Sequence, residues 1–347
     1  KANLSIECQL VYPVGPGFSG GLGMEVKLSL GVTTSYPIEF GIYTASIAER
    51  YDLRSMWIGD GIGDLRDIYT YASLVLSSSG IVEAGICMVD PFYYNLSTIA
   101  RSSATLVELH GERLRLGMEA PRILGETGVA DSPIMDELKK AAEALRLMFK
   151  GEAVSLATPH LKLFNYSLWG RFRIPLYLGV RCLESLESAS EIADGVILRG
   201  PKLYLEKASR LLGEARIGRR LKVLEWIPTA ILGGRSGIPD SAAKVVAVAA
   251  AETPNEVLEA SGIDAGRVEP IRRMLLSERW DSLADLVDEE LVEQFLFYGS
   301  PESLVDELLG WARSNGVDEV VLGPPYGLDP EKSIGEAASA WVKLSSP

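Results

Sequence analysis

Histidine is almost absent from this chain. Only His110 and His160 occur in 347 residues, which excludes a metal centre built on several imidazoles. Cysteine is nearly as scarce. Cys8, Cys87 and Cys182 are too few and too scattered for a disulfide framework or a C-x-x-C metal site. Basic residues are outnumbered, 34 against 47 acidic, for a net charge of −13. A chain so acidic has no broad basic face for nucleic acid, and an anionic ligand would have to be held by local groups. No apolar run approaches the ~18 residues of a membrane span, and the first residues lack the compact apolar core of a secretory signal. The expectation is a cytoplasmic, reducing setting with no metal, no nucleic acid and no membrane. Missing too are a Ser-His-Asp order, a G-x-S-x-G elbow, a P-loop and a clean G-x-G-x-x-G. "GFSGGLG" (17–23) is rich in glycine but lacks the strand before it and the helix after it that a dinucleotide loop needs.

What is present is a regular alternation. Residues 1–24 read as a Gly- and Pro-rich N-terminal extension, and 25–347 as a single domain. Short apolar strands are expected at 26–34, 54–60, 81–89, 113–118, 174–179, 195–200, 221–232 and 318–323. Helical periodicity fills 37–51, 66–78, 96–109, 133–151, 183–193, 202–212, 240–251 and 301–315. Strands alternating with helices imply right-handed crossovers and a parallel sheet. Eight such units predict the α/β fold of a (β/α)8 TIM-type barrel. A helical insertion over about 252–297 separates strands seven and eight, and an irregular excursion fills 152–173.

In such a barrel the chemistry sits at the C-terminal ends of the strands. Those ends carry Thr33, Asp60, Cys87 to Pro91, Gly117 to Pro121, Gly179 to Arg181, Arg199, Glu225 and Gly323 to Tyr326. Arg199, Glu225 and Tyr326 are assigned to the substrate side. Asp60, at the mouth of strand two, reads as a turn cap or as a ligand contact. Gly179-Val180-Arg181 runs into a helix start, where free N–H groups and a guanidinium suit a phosphate; a plain βα turn explains it equally. Gly-Pro-Pro-Tyr-Gly (323–327) is a stiff wall or a tight structural turn. His110 ends a helix, and His160 falls in the excursion as a surface residue. An apolar mouth with few titratable groups suits a cofactor that brings its own reactivity.

Four segments carry a family resemblance: "WIGDGIGDLRDIYTYASLV", "AGICMVDPFYYNLSTIARSSATLVELHGERLRLG", "IPLYLGVRCLESLESASEIADGVIL" and "YGSPESLVDELLGWARSNGVDEVVLGPPYGLDPEKS". They resemble the luciferase-like flavin and deazaflavin enzymes, and within them the archaeal methylenetetrahydromethanopterin reductases. The resemblance runs from Val26 to the C-terminus. It implies a (β/α)8 barrel that uses the deazaflavin coenzyme F420 without a metal. Hydride would pass between C5 of the deazaflavin and a C1 unit on tetrahydromethanopterin, and the assembly would be a homodimer or homotetramer. It also implies a bulge in strand three with a non-prolyl cis peptide at Cys87–Met88. Gly85, Cys87, Met88, Val89 and Asp90 would then lie against the coenzyme's ring, with Phe92, Tyr93 and Tyr94 at its rim. Gly179, Val180 and Arg181 would take the phosphate. Asp60 matches an Asp beside the deazaflavin, with a catalytic role.

The chain departs from the reductases at three places. Thr33, in the cofactor site, stands where they carry Glu. Gly61 stands where they carry His, and Met118-Glu119-Ala120-Pro121 where they carry a Gly-Pro-Gly-Asp-like run. Glu119 is expected to supply a replacement catalytic carboxylate. Two alternatives stay open: an FMN-dependent luciferase-like monooxygenase, and a family member that binds a flavin or folate without turnover.

Overall fold

The computed structural model describes residues 26–60, 66–80, 82–119, 132–181, 186, 189, 192–215, 221–232, 237–277 and 280–345. The expected extension at 1–24, Gly61, Ala120, Pro121 and most of the helix expected over 183–193 lie outside them.

All eight expected strands form. They are β1 (Lys27–Thr33), β2 (Ser55–Gly59), β3 (Glu83–Val89), β4 (Leu114–Met118), β7 (Leu176–Val180), β8 (Gly195–Leu198), β9 (Lys222–Ile231) and β11 (Glu319–Gly327). Every ladder between them is parallel, β11 pairs with β1, and β8 pairs with β9, so the sheet closes on itself. β2, β4, β7 and β8 are buried along their whole length, as parallel strands covered on both faces must be. A short strand β10 (Phe297–Gly299) adds to β9 outside the ring.

The crossover helices begin and end where short polar residues and glycines allow. α1 (Ile38–Arg50) follows Pro37, and α2 (Ile68–Ser78) is capped by Asp67, which accepts from Thr70 N at 2.7 Å. Asn95 caps α3 (Leu96–His110) by accepting from Ser97 N at 2.9 Å, and α4 is Ser132–Phe149. Then come α5 (Lys202–Ala215) and α6 (Asp240–Ala251). The expected insertion is a lobe of α7 (Asn255–Ala260), α8 (Ala265–Leu276), a 3-10 turn (Trp280–Leu286) and α9 (Glu289–Phe295). α10 (Pro301–Asn315) has Ser300 as its cap, proline at its first position and left-handed Gly316 (φ 71°) after its end, the standard asymmetry of helix termini. α11 (Pro330–Ser345) closes the ring.

The lobe has its own core. Val246, Ala247 and Ala250 of α6 pack with Ile271, Leu275, Leu291 and Phe295, apart from the main core around the barrel.

One expectation is corrected. The stretch 152–173 is not irregular: β5 (Val154–Ala157) and β6 (Lys162–Tyr166) form an antiparallel hairpin. Its turn is pinned by Glu137 of α4, which accepts from Thr158 Oγ1, from His160 N at 3.3 Å and from the His160 ring at 3.0 Å.

The N-terminal end of the barrel holds a buried ionic network. Glu319 accepts from Ser29, Ser55 (2.8 Å), Trp57 Nε1 (2.9 Å) and Arg115 Nη1 (2.8 Å), and Arg115 also donates to Glu83. Burial opposes ionisation of Glu319, but Arg115 and the three neutral donors outweigh it and hold its carboxyl below the usual range.

Candidate active site

The barrel interior is filled by inward residues of six strands: Trp57, Cys87, Met88, Tyr177, Ile197, Leu224, Trp226 and Val321. Large side chains fit there because facing strands carry glycine. A Cβ on Gly31, Gly59 or Gly323 would come within 3.0, 3.3 and 2.6 Å of the Trp226 indole, which therefore lies across β1, β2 and β11 as a flat slab. Below it Trp57 and Tyr177 meet edge to face at 5.2 Å.

Above the slab, at the C-terminal ends of the strands, is a cavity of about 500 Å³. The barrel contributes Thr33, Gly59, Asp60, Cys87, Arg181, Arg199, Trp226 and Pro228. Pro324 and Pro325, joined by a cis peptide, form a stiff wall. A further wall is α6, through Lys244, Val245, Val248, Ala249 and the following Glu252, with Trp280 and Phe295 of the lobe also lining the cavity. The Cys87–Met88 peptide is cis, and the β3–β4 register breaks between Ile86 and Val89, so the expected bulge is present.

Polar groups are few and held in place. Asp60 N donates to Cys87 O at 2.9 Å, and Asp60 Oδ2 accepts from the Tyr94 hydroxyl at 2.7 Å. Burial and the Asp60 carboxylate both push the Tyr94 phenol up, so it stays a donor. A second group gathers two arginines and two glutamates. Glu119 accepts from Arg181 Nε and from Arg199 Nη2, while Arg181 Nη2 reaches Glu252 Oε2 at 2.9 Å and Nη1 reaches the Glu252 carbonyl at 3.0 Å. Burial works against the Arg181 charge, but the two carboxylates outweigh it and keep it protonated. Among the described residues no three His, Cys, Asp or Glu are placed to hold a metal ion, and no helix is long and apolar enough to cross a membrane.

Five sequence-assigned residues therefore line one cavity: Thr33, Asp60, Cys87, Arg181 and Arg199. Glu119 joins them through both arginines. The others stand apart from the lining. Gly85 leaves room for Trp57, and Gly179 for the Met88 sulfur, because a Cβ would sit 2.1 and 2.2 Å from them. Val89 and Val180 belong to the outer core, and Asp90 accepts from Phe92 N at 2.7 Å in its own turn. Tyr326 is buried against Phe40, with its hydroxyl donating to Leu322 O. Glu225 points outward, completely buried between the barrel and its helices, and accepts from Ser209 (2.8 Å) and Trp311 Nε1 (2.7 Å). The aromatic rim is not formed as expected: Tyr93 is 83% exposed, Phe92 packs on His160, and Tyr94 alone reaches a cavity residue. His110 ends α3 within 3.0 Å of Ser73 Oγ.

Sequence reasoning missed Trp226, Lys244 and Glu252. Trp226 was readable, since period two along β9 sets Leu224 and Trp226 inward and Glu225 outward. The α6 residues carried no such signal.

The sequence profile of the luciferase-like monooxygenases matches residues 27–319. The chain belongs to this family. Membership makes this luciferase-like protein an oxidoreductase by class. A 5,10-methylenetetrahydromethanopterin reductase from Archaeoglobus fulgidus is 26% identical over 307 residues, covering 84% of this chain and 91% of its own. One from Methanolobus tindarius matches with the same identity and coverage. Among solved structures, the coenzyme F420 dependent tetrahydromethanopterin reductase from Methanopyrus kandleri superposes with a TM-score of 0.77 at 22% identity, over 93% of this chain and all of that one. An F420-dependent secondary alcohol dehydrogenase gives 0.70 at 16% identity, over 91% and 98% of the two chains. These likenesses confirm the luciferase-like barrel.

Proposed function

We propose that this luciferase-like protein is an F420-dependent oxidoreductase acting on a C1 unit carried by tetrahydromethanopterin or a similar substrate. The carrying observation is the cavity at the barrel mouth. It has a flat apolar floor in Trp226 and a stiff wall in Pro324-Pro325, with Arg181, Arg199 and Lys244 along its margin. A volume of about 500 Å³ suits a planar ring system, and the cations suit an anionic tail. The names of the curated relatives point the same way.

The coenzyme, when bound, supplies hydride chemistry, and the chain supplies position and electrostatics. Trp226 and the two prolines exclude water and fix the plane of a ring. Asp60, oriented by Tyr94, holds or takes a proton at its carboxylate. Arg199 and Lys244 face negative charge. Glu119 acts through Arg181 and Arg199 and is assigned a positioning role.

The test is a binding titration with F420, FMN and NADPH, followed by reduced F420 with methylenetetrahydromethanopterin monitored by deazaflavin absorbance. Micromolar F420 binding and oxidation that depends on the pterin are expected. Stoichiometric FMN binding with no affinity for F420 sinks the proposal in favour of a flavin monooxygenase. Binding of F420 without turnover of any C1-pterin removes the substrate assignment.

A further inference from the structure

Arg181, Arg199 and Lys244 are the cations that line the cavity among the described residues, and the two arginines are already engaged. Arg181 donates to Glu119 and Glu252, and Arg199 donates to Glu119. Their side chains are 13% and 17% exposed. A pair of guanidiniums facing a pair of carboxylates forms a neutral cluster that ties the ends of β4, β7 and β8 to the end of α6. An anion that took either arginine would leave a buried carboxylate behind without its partner, which is costly.

Lys244 is placed differently. Its side chain is 37% exposed, and its one ion pair among the described residues runs to Asp281 Oδ1 at 3.9 Å. That separation is beyond hydrogen-bond reach. Asp281 itself stands fully in solvent, where water and salt screen its charge. Lys244 precedes Glu252 by about two turns of helix, roughly 12 Å along the axis, with Val245, Val248 and Ala249 lining the wall between them. The ammonium is thus a separate feature of the wall from the arginine cluster. Ser241 lies one turn earlier on the same helical face and also lines the cavity, so a hydroxyl donor points to the same space.

We propose that Lys244 is the anion anchor of the cavity. A phosphate or carboxylate group of the ligand docks on its ammonium, with Ser241 as a second donor, while Arg181 and Arg199 stay with their carboxylates. Docking there adds a charge pair without breaking one. A charged tail then leaves along the solvent edge of α6 while an apolar ring lies on Trp226. The inference deepens the coenzyme reading above and rests on this cavity being the ligand site.

Inorganic phosphate is the first probe, titrated calorimetrically into the full chain. Lys244→Gln is expected to bind it roughly tenfold or more weakly than the unsubstituted protein, as loss of a charge-assisted hydrogen bond requires. Lys244→Arg, which keeps the charge, is expected to bind it within about threefold. Equal binding by Lys244→Gln, or no binding to the unsubstituted protein, overturns the proposal. A purely structural lysine, steadying the 3-10 turn through Asp281, predicts that Asp281→Asn weakens phosphate binding as much as Lys244→Gln does, and that result overturns it too. Two further measurements name the source of the anion. A Lys244→Gln loss of F420 affinity that is absent for the phosphate-free deazaflavin chromophore assigns the coenzyme tail. A rise in KM for methylenetetrahydromethanopterin that exceeds any fall in kcat, with F420 affinity kept, assigns the substrate tail. Phosphate binding that depends on Lys244 in a protein without F420 affinity overturns the coenzyme reading alone. F420 binding and turnover indifferent to Lys244→Gln overturn this one alone.

Discussion

The Tyr94 hydroxyl makes a single hydrogen bond to Asp60 at the cavity edge, so its removal is a clean perturbation. Tyr94→Phe keeps the ring packed and deletes one donor to a carboxylate, an interaction in the range of ~1.5–3 kcal/mol. A loss of roughly tenfold or more in kcat/KM is expected, together with a fall in the melting temperature. Glu225 shows the opposite case, a buried carboxyl away from the site. Burial dominates and pushes it from 4.5 to about 7, against the bonds from Ser209 and Trp311. Its proton is bound more tightly in the folded chain, so stability is fully kept below about 4.5 and falls as pH rises to about 7. The loss is roughly 3 kcal/mol, and Glu225→Gln should flatten that slope in urea titrations at pH 5 and pH 8. Placing Glu225 on the substrate side reads it as a strand-end residue; the alternation through Leu224 and Trp226 shows which face it takes.

At the scale of elements, the eight barrel strands were legible because each is a short apolar run bounded by turns or helix starts. The hairpin was not, since β6 is exposed or half-exposed throughout and carries no alternation of buried and exposed positions. Nor was the Arg181–Glu252 pair, whose members lie 71 residues apart. The glycines facing Trp226 were visible as letters, but their purpose depends on which strands become neighbours. That purpose is testable. In Gly323→Ala the new methyl would meet the indole nitrogen at 2.6 Å and the Ile227 carbonyl at 2.9 Å, so the slab must shift. A destabilisation of ~1–3 kcal/mol is expected in denaturant titration, together with weaker coenzyme binding.

Over the whole molecule, stability and chemistry occupy opposite ends of the barrel. Glu319, Arg115 and the donors around them close the N-terminal end, far down the strands from Asp60 and Arg199. Glu319→Gln leaves Arg115 with a weakened buried partner, and a cost of ~3–5 kcal/mol is expected, with the activity of the remaining folded protein unchanged. Because the Glu319 carboxyl is held low in the folded state, its contribution is present above the ordinary carboxylate range and disappears as pH falls through its lowered value. Acid denaturation of the unsubstituted protein should therefore begin at this end of the barrel, and amide exchange in β1 and β11 at falling pH measures it. The three separate hydrophobic clusters carry this separation further. The floor of the cavity belongs to the cluster inside the barrel, whereas the α6 wall is buried in the lobe core. Substitutions inside the lobe meet the barrel at Ala230 of β9 rather than at β2 and β8, the strands that aim Asp60 and Arg199. One frame can in this way acquire a different guest by renovating a single side of the room.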